Sequence, residues 1–162
     1  MMWRRGGWAV ILAAAAAGGG QRRPKGSIVS SIDTIEGIGP KEATRLRKSG
    51  VRTTEALLKR AGARKGRKEL SAAATIGEKQ ILQWVNRADL MRVKGVGSEY
   101  SDLLEATGVD TVKELRNRSA AALTKKIYEV NQAKKLVKRL PTEAMVGTWI
   151  VNAKKLTPLV TY

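Results

Sequence analysis

Histidine and cysteine are both absent from this chain of 162 residues. Because it has no cysteine, the protein has no disulfide, no thiolate nucleophile and no cysteine-ligated zinc or iron–sulfur site. Because it has no histidine, it lacks the commonest general base of enzymes and the commonest protein ligand of zinc. These two absences remove the residues on which most catalytic and metal sites depend.

Acidic residues are scarce relative to basic ones. The chain has 14 Asp and Glu against 31 Lys and Arg, a net charge of +17. Such an excess favours an anionic partner, with nucleic acid first and an anionic membrane surface second. The charge is uneven, since residues 121–162 carry eight basic and two acidic side chains while residues 90–120 carry five of each. Aromatic residues make up only 4% of the chain, which leaves few for base stacking.

The remaining reactive residues form no recognisable catalytic set. The carboxylates of the first half lie at scattered positions typical of helix surfaces, where they pair with neighbouring Lys and Arg: Glu36, Glu42, Glu55, Glu69 and Glu78. The sequence has no GxxxxGK[ST] phosphate loop. The Gly-Ile-Gly at 37–39 is not a dinucleotide fingerprint, because no strand precedes it and no third glycine follows at the required place. We expect a protein without enzyme activity, cofactor or bound metal.

The dominant feature of the sequence is an internal repeat with an offset of 58 positions. It relates Ile35–Leu57, IEGIGPKEATRLRKSGVRTTEAL, to Val93–Leu115, VKGVGSEYSDLLEATGVDTVKEL. The identical residues are Gly37, Gly39, Leu46, Gly50, Val51, Thr53 and Leu57 in the first copy and Gly95, Gly97, Leu104, Gly108, Val109, Thr111 and Leu115 in the second. A repeat of this length predicts two similar structural units.

Each copy predicts a helix, a tight turn and a second helix. Gly37 and Gly39 are expected to let the backbone turn with positive φ. Pro40 fits the first turn of the next helix, Gly50 ends that helix, and Thr53 caps the following one. The second copy repeats this plan at Gly95, Gly97, Ser98, Gly108 and Thr111.

Helical periodicity after residue 26 predicts an all-α fold of two helical repeats, residues 27–89 and 90–162, with no sheet. The spacing of Ile28, Ile32 and Ile35 predicts a helix before the first turn. Trp84 and Trp149, in WVNRA and WIVNA, are 65 residues apart, so the second copy has gained about seven residues, which we place at 132–141. The predicted core includes Leu46, Leu57, Trp84, Leu104, Leu115 and Trp149.

Residues 1–26 have a different composition. Arg4 and Arg5 precede an apolar run from Trp8 to Ala17, which is shorter than the ~20 residues of a membrane helix. Two interpretations stay open: a signal or anchor segment, or an extension without a function of its own. We leave the segment out of the predicted fold. The protein is expected in the cytoplasm, or attached to the envelope if the segment is a genuine anchor.

A Gly-apolar-Gly turn between two helices resembles the helix-hairpin-helix motif, and both copies match it. This resemblance implies that unpaired amides at the turn and at the next helix N-terminus hold a phosphate. Such contacts bind nucleic acid without reading its sequence. The alternative is that the glycines only allow close helix packing.

The similarity extends along the chain, through WVNRADLMRVKGVGSEYSDLLEATGVDTVKELRNR, EVNQAKKLVKRLP and WIVNAKKL. These runs resemble a bacterial family, the domain-of-unknown-function family 4332, which is related to helix-hairpin-helix domains. The resemblance covers roughly residues 31–162. It implies an all-helical tandem-hairpin fold, with nucleic-acid binding by analogy.

The leading hypothesis is a protein that binds the backbone of nucleic acid, above all duplex DNA. In the first copy the contacts would be the turn amides and nearby cations Gly37, Ile38, Gly39, Lys41 and Arg45, extended by a loop cluster Arg64, Lys65, Arg67 and Lys68. A Cβ at Gly39 is expected to strain the turn and to block the phosphate. In the second copy Gly95, Val96 and Gly97 would bind more weakly, beside the acids Glu99, Asp102 and Glu105.

Two other hypotheses remain. The chain could be a protein-interaction or scaffold module in which the hairpins only pack helices. A basic face meeting anionic lipid is the third, and it depends on residues 1–26 being an anchor.

Overall fold

The computed structural model describes residues 30–162, and the predictions for residues 1–26 and for Ile28 lie outside this range. The described residues form a 3-10 helix at Ile32–Thr34 and eight α-helices. These are α1 (Pro40–Lys48), α2 (Thr54–Ala61), α3 (Arg64–Ala74), α4 (Glu78–Leu90), α5 (Ser98–Ala106), α6 (Val112–Leu115), α7 (Ala120–Lys134) and α8 (Glu143–Lys154). Residues 30–162 contain no β-strand, and the predicted all-α fold is confirmed.

Threonine residues cap the starts of α2 and α6. The Thr53 hydroxyl accepts a hydrogen bond from the Ala56 amide at 3.1 Å, at the start of α2. Thr111 caps α6 in the same way, by accepting from the Glu114 amide at 3.4 Å. Each hydroxyl satisfies an amide that has no partner inside its own helix. Both predicted caps are confirmed.

The helix stops also match between the copies. After α1, Gly50 has a φ of +88°, and the Val51 amide donates to the Leu46 carbonyl at 2.9 Å. After α5, Gly108 has a φ of +92°, and the Val109 amide donates to Leu104 at 2.9 Å. This left-handed ending satisfies helix carbonyls that would otherwise have no donor, and glycine adopts it without a steric penalty.

Two hydrophobic clusters hold the helices together. One draws mainly on residues 32–91 and contains Trp84, 1% exposed. The other draws on residues 90–153 and contains Trp149, 2% exposed. All the predicted core residues are buried: Leu46, Leu57, Trp84, Leu104, Leu115 and Trp149. The predicted boundary after residue 89 lies inside α4, so a continuous helix joins the clusters, and the division into two domains stays a prediction.

The chain enters the two copies differently. No α-helix precedes the first turn within the described residues; Ser31 is extended and pairs with Thr53 in an isolated β-bridge. The prediction of a helix there is wrong beyond the 3-10 helix at Ile32–Thr34. In this extended form, the Ser30 carbonyl accepts from the first amide of α2, that of Thr54, at 2.9 Å. The corresponding amide of α6 instead donates to the Asp89 carboxylate at 2.9 Å, because α4 occupies that place.

The extra residues of the second copy lie close to the predicted range, 132–141. Residues 75–77 connect α3 to α4, whereas residues 135–142 connect α7 to α8. We call the latter the inserted loop. Asn131 anchors it, since its side chain donates to the Val137 carbonyl at 3.1 Å and accepts from the Val137 amide at 3.0 Å. Val137 itself is buried in the second cluster.

The basic stretch after α2 is helical rather than the predicted loop. Helix α3 begins at Arg64, and Gly66 lies within it. A Cβ at Gly66 would overlap the Arg60 carbonyl, so this glycine allows α3 to pack closely on the end of α2. Gly62 has a similar role, because a Cβ there would lie 2.5 Å from the Leu159 carbonyl.

The C-terminal residues return to the first cluster. Val160 is buried there, and the Thr161 amide donates to the Gly62 carbonyl at 2.9 Å. The Thr157 carbonyl accepts from Arg92 at 2.9 Å. Residues 155–162 thereby connect the end of the second copy to the first. No helix in the described range has the length and apolar character needed to cross a bilayer.

The close contact at Gly66 predicts a measurable loss of stability. Gly66→Ala should lower the free energy of unfolding by about 1–3 kcal/mol, because the backbone of Arg60 has to move away from the new methyl group. Gly147→Ala is the matched control, since its nearest neighbour is the Ala120 methyl at 3.8 Å and alanine favours helix. Urea unfolding measures the free energy of unfolding of both variants. Equal values would contradict the close packing described at Gly66.

Candidate nucleic-acid interface

The two glycine turns have the same backbone geometry. We call residues 36–39 turn one, which leads into α1, and residues 94–97 turn two, which leads from α4 into α5. Gly37 and Gly95 both have a φ of +92°. Each turn is closed by an internal hydrogen bond, from Ile38 to the Ile35 carbonyl at 3.2 Å and from Val96 to Val93 at 3.0 Å.

The second glycine of each turn is not strained. Gly39 has a φ of −83° and Gly97 a φ of −92°, both in the extended region that any residue adopts. The expectation that a Cβ at Gly39 strains the turn is therefore wrong. These residues are the points where the chain enters a helix, and only the first glycine of each pair has positive φ.

The first glycine of each turn packs against the matching tryptophan. A Cβ at Gly37 would lie 3.4 Å from Nε1 of Trp84 and 3.1 Å from Nη1 of Arg87. A Cβ at Gly95 would lie 3.0 Å from Nε1 of Trp149. Close packing is thus one role of these two glycines, as the alternative interpretation of the motif holds.

The amides free for a ligand differ from those expected. Ile38 and Val96 use their amides inside the turns, and their side chains are buried, so neither offers a donor. Within residues 30–162, the amides of Gly37 and Gly39 form no hydrogen bond, nor do those of Gly95 and Gly97. Each turn therefore presents the glycine amides together with those of the first helical turn after it.

The N-termini of α1 and α5 have different surroundings, and the difference is the reverse of the weaker binding predicted for the second copy. At Gly39 the Glu42 carboxylate comes within 2.8 Å of the position of a Cβ. At Gly97 no heavy atom of the described residues lies within 4 Å of that position. A carboxylate at a helix N-terminus is favourable and takes the place of an external anion. Turn one is thus partly filled by its own side chain, and turn two is open.

Two of the cations predicted beside turn one face solvent. Lys41 is exposed, and Arg45 is exposed while it donates to the Thr75 carbonyl at 3.3 Å. Arg47 pairs with Asp33 at 3.1 Å. Hydrogen bonds from Ser31 and Arg47 lower the pKa of the Asp33 carboxyl. Lys41 and Arg45 are therefore the available charges at this turn.

The basic cluster on α3 contains one buried residue. Arg64, Lys65 and Lys68 are exposed, as the prediction requires. Arg67 is only 4% exposed and donates to the Gly62 carbonyl at 2.7 Å and the Thr161 carbonyl at 2.5 Å. Burial lowers the pKa of its guanidinium. The assignment of Arg67 to the interface is wrong, because its fork joins α2 to the C-terminal segment.

The acids on α5 are largely compensated. Asp102 and Glu105 both pair with Arg87, at 2.9 Å and 2.6 Å. Glu99 stays exposed beside turn two. The electrostatic field near turn two is therefore less negative than the local sequence suggests.

The inserted loop brings cations that sequence reasoning did not assign to turn two. The Tyr100 hydroxyl donates to the Arg139 carbonyl at 3.1 Å, and the Tyr100 ring packs on Trp149 with centroids 5.1 Å apart. Lys138 and Arg139 are exposed. Tyr100 lies in the first turn of α5, so the loop lies beside turn two. The extra length was visible in the sequence, but the contact through Tyr100 was not.

A cleft separate from the two turns lies within residues 30–162. This shallow cleft of about 390 Å³ is lined by Arg64, Arg67, Glu78, Lys79, Leu82 and Tyr162. Within the described range, no group of three or more acidic side chains is placed to hold a metal ion.

Comparison with known protein families gives a match over most of the chain. The model of a family described as "Domain of unknown function (DUF4332)" matches residues 36–156, which include both turns. No curated protein and no solved structure matches the chain significantly.

The turn geometry predicts that alanine destabilises the protein at the first glycine of a turn and has little effect at the second. Gly37→Ala should cost about 1–2 kcal/mol of unfolding free energy, because the residue has positive φ and faces Trp84. Gly97→Ala should change stability by less than about 0.5 kcal/mol, since it is extended and open. Chemical denaturation measures both, and a large loss at Gly97 would contradict the described geometry.

Proposed function

The chain belongs to the DUF4332 family, and we propose that it is a non-enzymatic protein that binds the backbone of nucleic acid, duplex DNA in particular, without reading base sequence. The observation that carries the proposal is a pair of glycine turns of matching φ with unpaired amides at the start of a helix and exposed cations beside them. We propose that both turns act as helix-hairpin-helix contacts. The protein would meet its ligand in the cytoplasm.

The amides supply directional contacts to phosphate. The first four amides of a helix have no partner within it, and the helix dipole places partial positive charge there. At turn one the donors are Gly39, Lys41 and Glu42, since Pro40 has no amide. At turn two Ser98 takes the place of Pro40 and adds a donor. A phosphate at either site would be held without contact to a base edge.

The side-chain charges supply affinity. Lys41 and Arg45 lie on α1 after turn one. We place Lys138 and Arg139 near turn two because the inserted loop that carries them contacts Tyr100 through the Arg139 carbonyl. Each cation that neutralises a phosphate releases condensed counterions, which favours binding at low salt. The scarcity of exposed aromatics supports backbone contact rather than base stacking.

The competing proposal is a protein-interaction module. The packing of Gly37 and Gly95 on tryptophan explains the glycines without a ligand. The Glu42 carboxylate also places a negative charge at the start of α1 without an external ligand. This proposal predicts no salt-dependent binding to nucleic acid.

A titration of duplex DNA over a range of salt concentrations tests the choice. Fluorescence anisotropy with two duplexes of unrelated sequence should give equal affinities that fall steeply with salt. Changing Lys41 and Arg45 together to Ala should weaken binding to both duplexes equally and lower the slope of log K against log salt by about 1–2. The double change at Lys138 and Arg139 should act similarly.

The control for this titration removes the same charge from Lys59 on α2 and Lys113 on α6, outside both turns. All variants are first matched for unfolding free energy. If binding shows no salt dependence, or if the control pair weakens it as much as the turn variants, the backbone proposal fails and the protein-interaction module replaces it.

The Glu42 side chain gives a test in the opposite direction. Glu42→Gln should strengthen DNA binding about two- to fivefold, because a neutral side chain competes less for the N-terminus of α1. Glu55→Gln is the matched control, since it makes the same charge change in the first turn of α2. An equal gain for both variants would show that only net charge matters.

A further inference from the structure

We propose that Arg87 is a positioning residue that holds turn one and turn two in a fixed relative orientation. This inference rests on the proposed function only in taking the turns as the binding elements. The coupling itself follows from the contacts of one guanidinium group in the middle of the molecule.

Arg87 bridges the two copies of the repeat. Its Nη1 donates to the Glu36 carbonyl, in turn one. Its Nε donates to Glu105 at 2.6 Å and its Nη2 to Asp102 at 2.9 Å, both on α5. The side chain of Arg87 is only 10% exposed. One planar group thereby connects the backbone of turn one to the helix that follows turn two.

The geometry leaves little freedom on either side. Glu36 directly precedes Gly37, where a Cβ would lie 3.1 Å from Nη1 of Arg87. The guanidinium is a rigid fork, so three partners in different directions fix its position. Gln83 adds a hydrogen bond to Glu105 at 3.0 Å from the same helix, α4. A lysine could not make these contacts together, because its charge is a single point.

Comparison of the copies separates this role from the folding of a turn. Trp84 aligns with Trp149, so Asn152 takes the place of Arg87 in the second copy. Turn two nevertheless has the same φ of +92° at Gly95 as turn one has at Gly37. A turn of this shape therefore forms without an arginine behind it. Arg87 lies where the first copy is joined to the second, so its role is to orient the two copies and not to form a turn.

Two rigidly held turns differ from two flexible ones in how they bind. When both contact one duplex, the second contact forms at an effective concentration that is greatest when the separation of the turns matches the spacing of the two phosphate sites. Ion pairs that are mostly buried often add little net stability, since desolvation offsets their attraction. The need to hold the two turns in a fixed orientation explains why Arg87, Asp102 and Glu105 form a cluster here.

Spin labels test the coupling without any ligand. The chain has no cysteine, so Lys48→Cys on α1 and Glu99→Cys on α5 introduce the only two labelling sites. Double electron–electron resonance should give a narrow distance distribution with Arg87 present and a broad one in Arg87→Gln. Arg87→Lys should not restore the narrow distribution. Arg64→Gln, an exposed arginine on α3, controls for the loss of charge and should leave it unchanged.

A reciprocal variant keeps the test decisive if Arg87→Gln does not fold. Changing Asp102 and Glu105 together to Ala removes the acceptors from the less buried side and should broaden the distribution equally. A narrow distribution in a folded variant of either kind overturns the coupling.

A duplex-length series connects the coupling to binding. The original chain should gain affinity about 10- to 100-fold once the duplex spans both turns, and Arg87→Gln should lose that gain while binding short duplexes unchanged. If every duplex fails to bind, the proposed function is wrong, and the distance distributions still decide the role of Arg87.

Discussion

The contact between a left-handed glycine and a buried tryptophan underlies the rest of the structure. Gly37 lies against Trp84 and Gly95 against Trp149, where a Cβ would lie 3.4 Å and 3.0 Å from the indole Nε1. The contact places each turn on the last long helix of its own copy and fixes the direction in which the next helix leaves. The amides of Gly39 and Gly97, which form no hydrogen bond within residues 30–162, lie at the start of that helix. The candidate interface is therefore a consequence of core packing.

The two copies of the repeat share a fold but carry different side chains on their surfaces. The acids of α5 form a salt-bridged junction with Arg87, while the corresponding face of α1 carries Thr44 and Arg47. The inserted loop supplies the second copy with the cations that its hairpin lacks. Local charge in the sequence is thus a poor guide to local potential, because ion pairs across the junction cancel part of it and loops from elsewhere add to it.

Some site residues could be predicted and others could not, for separable reasons. Lys41 and Arg45 follow a turn on an amphipathic helix, so their exposure was predictable from periodicity. Arg67 lies in a basic run that looks solvated, yet its partners are carbonyl groups, one of them distant in sequence. A backbone carbonyl that accepts a hydrogen bond cannot be identified from the sequence, because every residue has a carbonyl. The engagement of the Ile38 amide inside the turn was hidden for the same reason.

Residue types and their spacing were enough to predict the all-helical fold, the matching turns, the threonine caps, the glycine stops and the place of the extra residues. These features depend on contacts within a few residues or on the repeat itself, and local contacts are encoded by local residue types. The tertiary structure alone decided that α3 starts at Arg64, that Glu42 lies at one helix N-terminus while the other is open, and that Arg87 joins the copies. Those features depend on which distant groups meet after packing, and a linear pattern does not specify the meeting point.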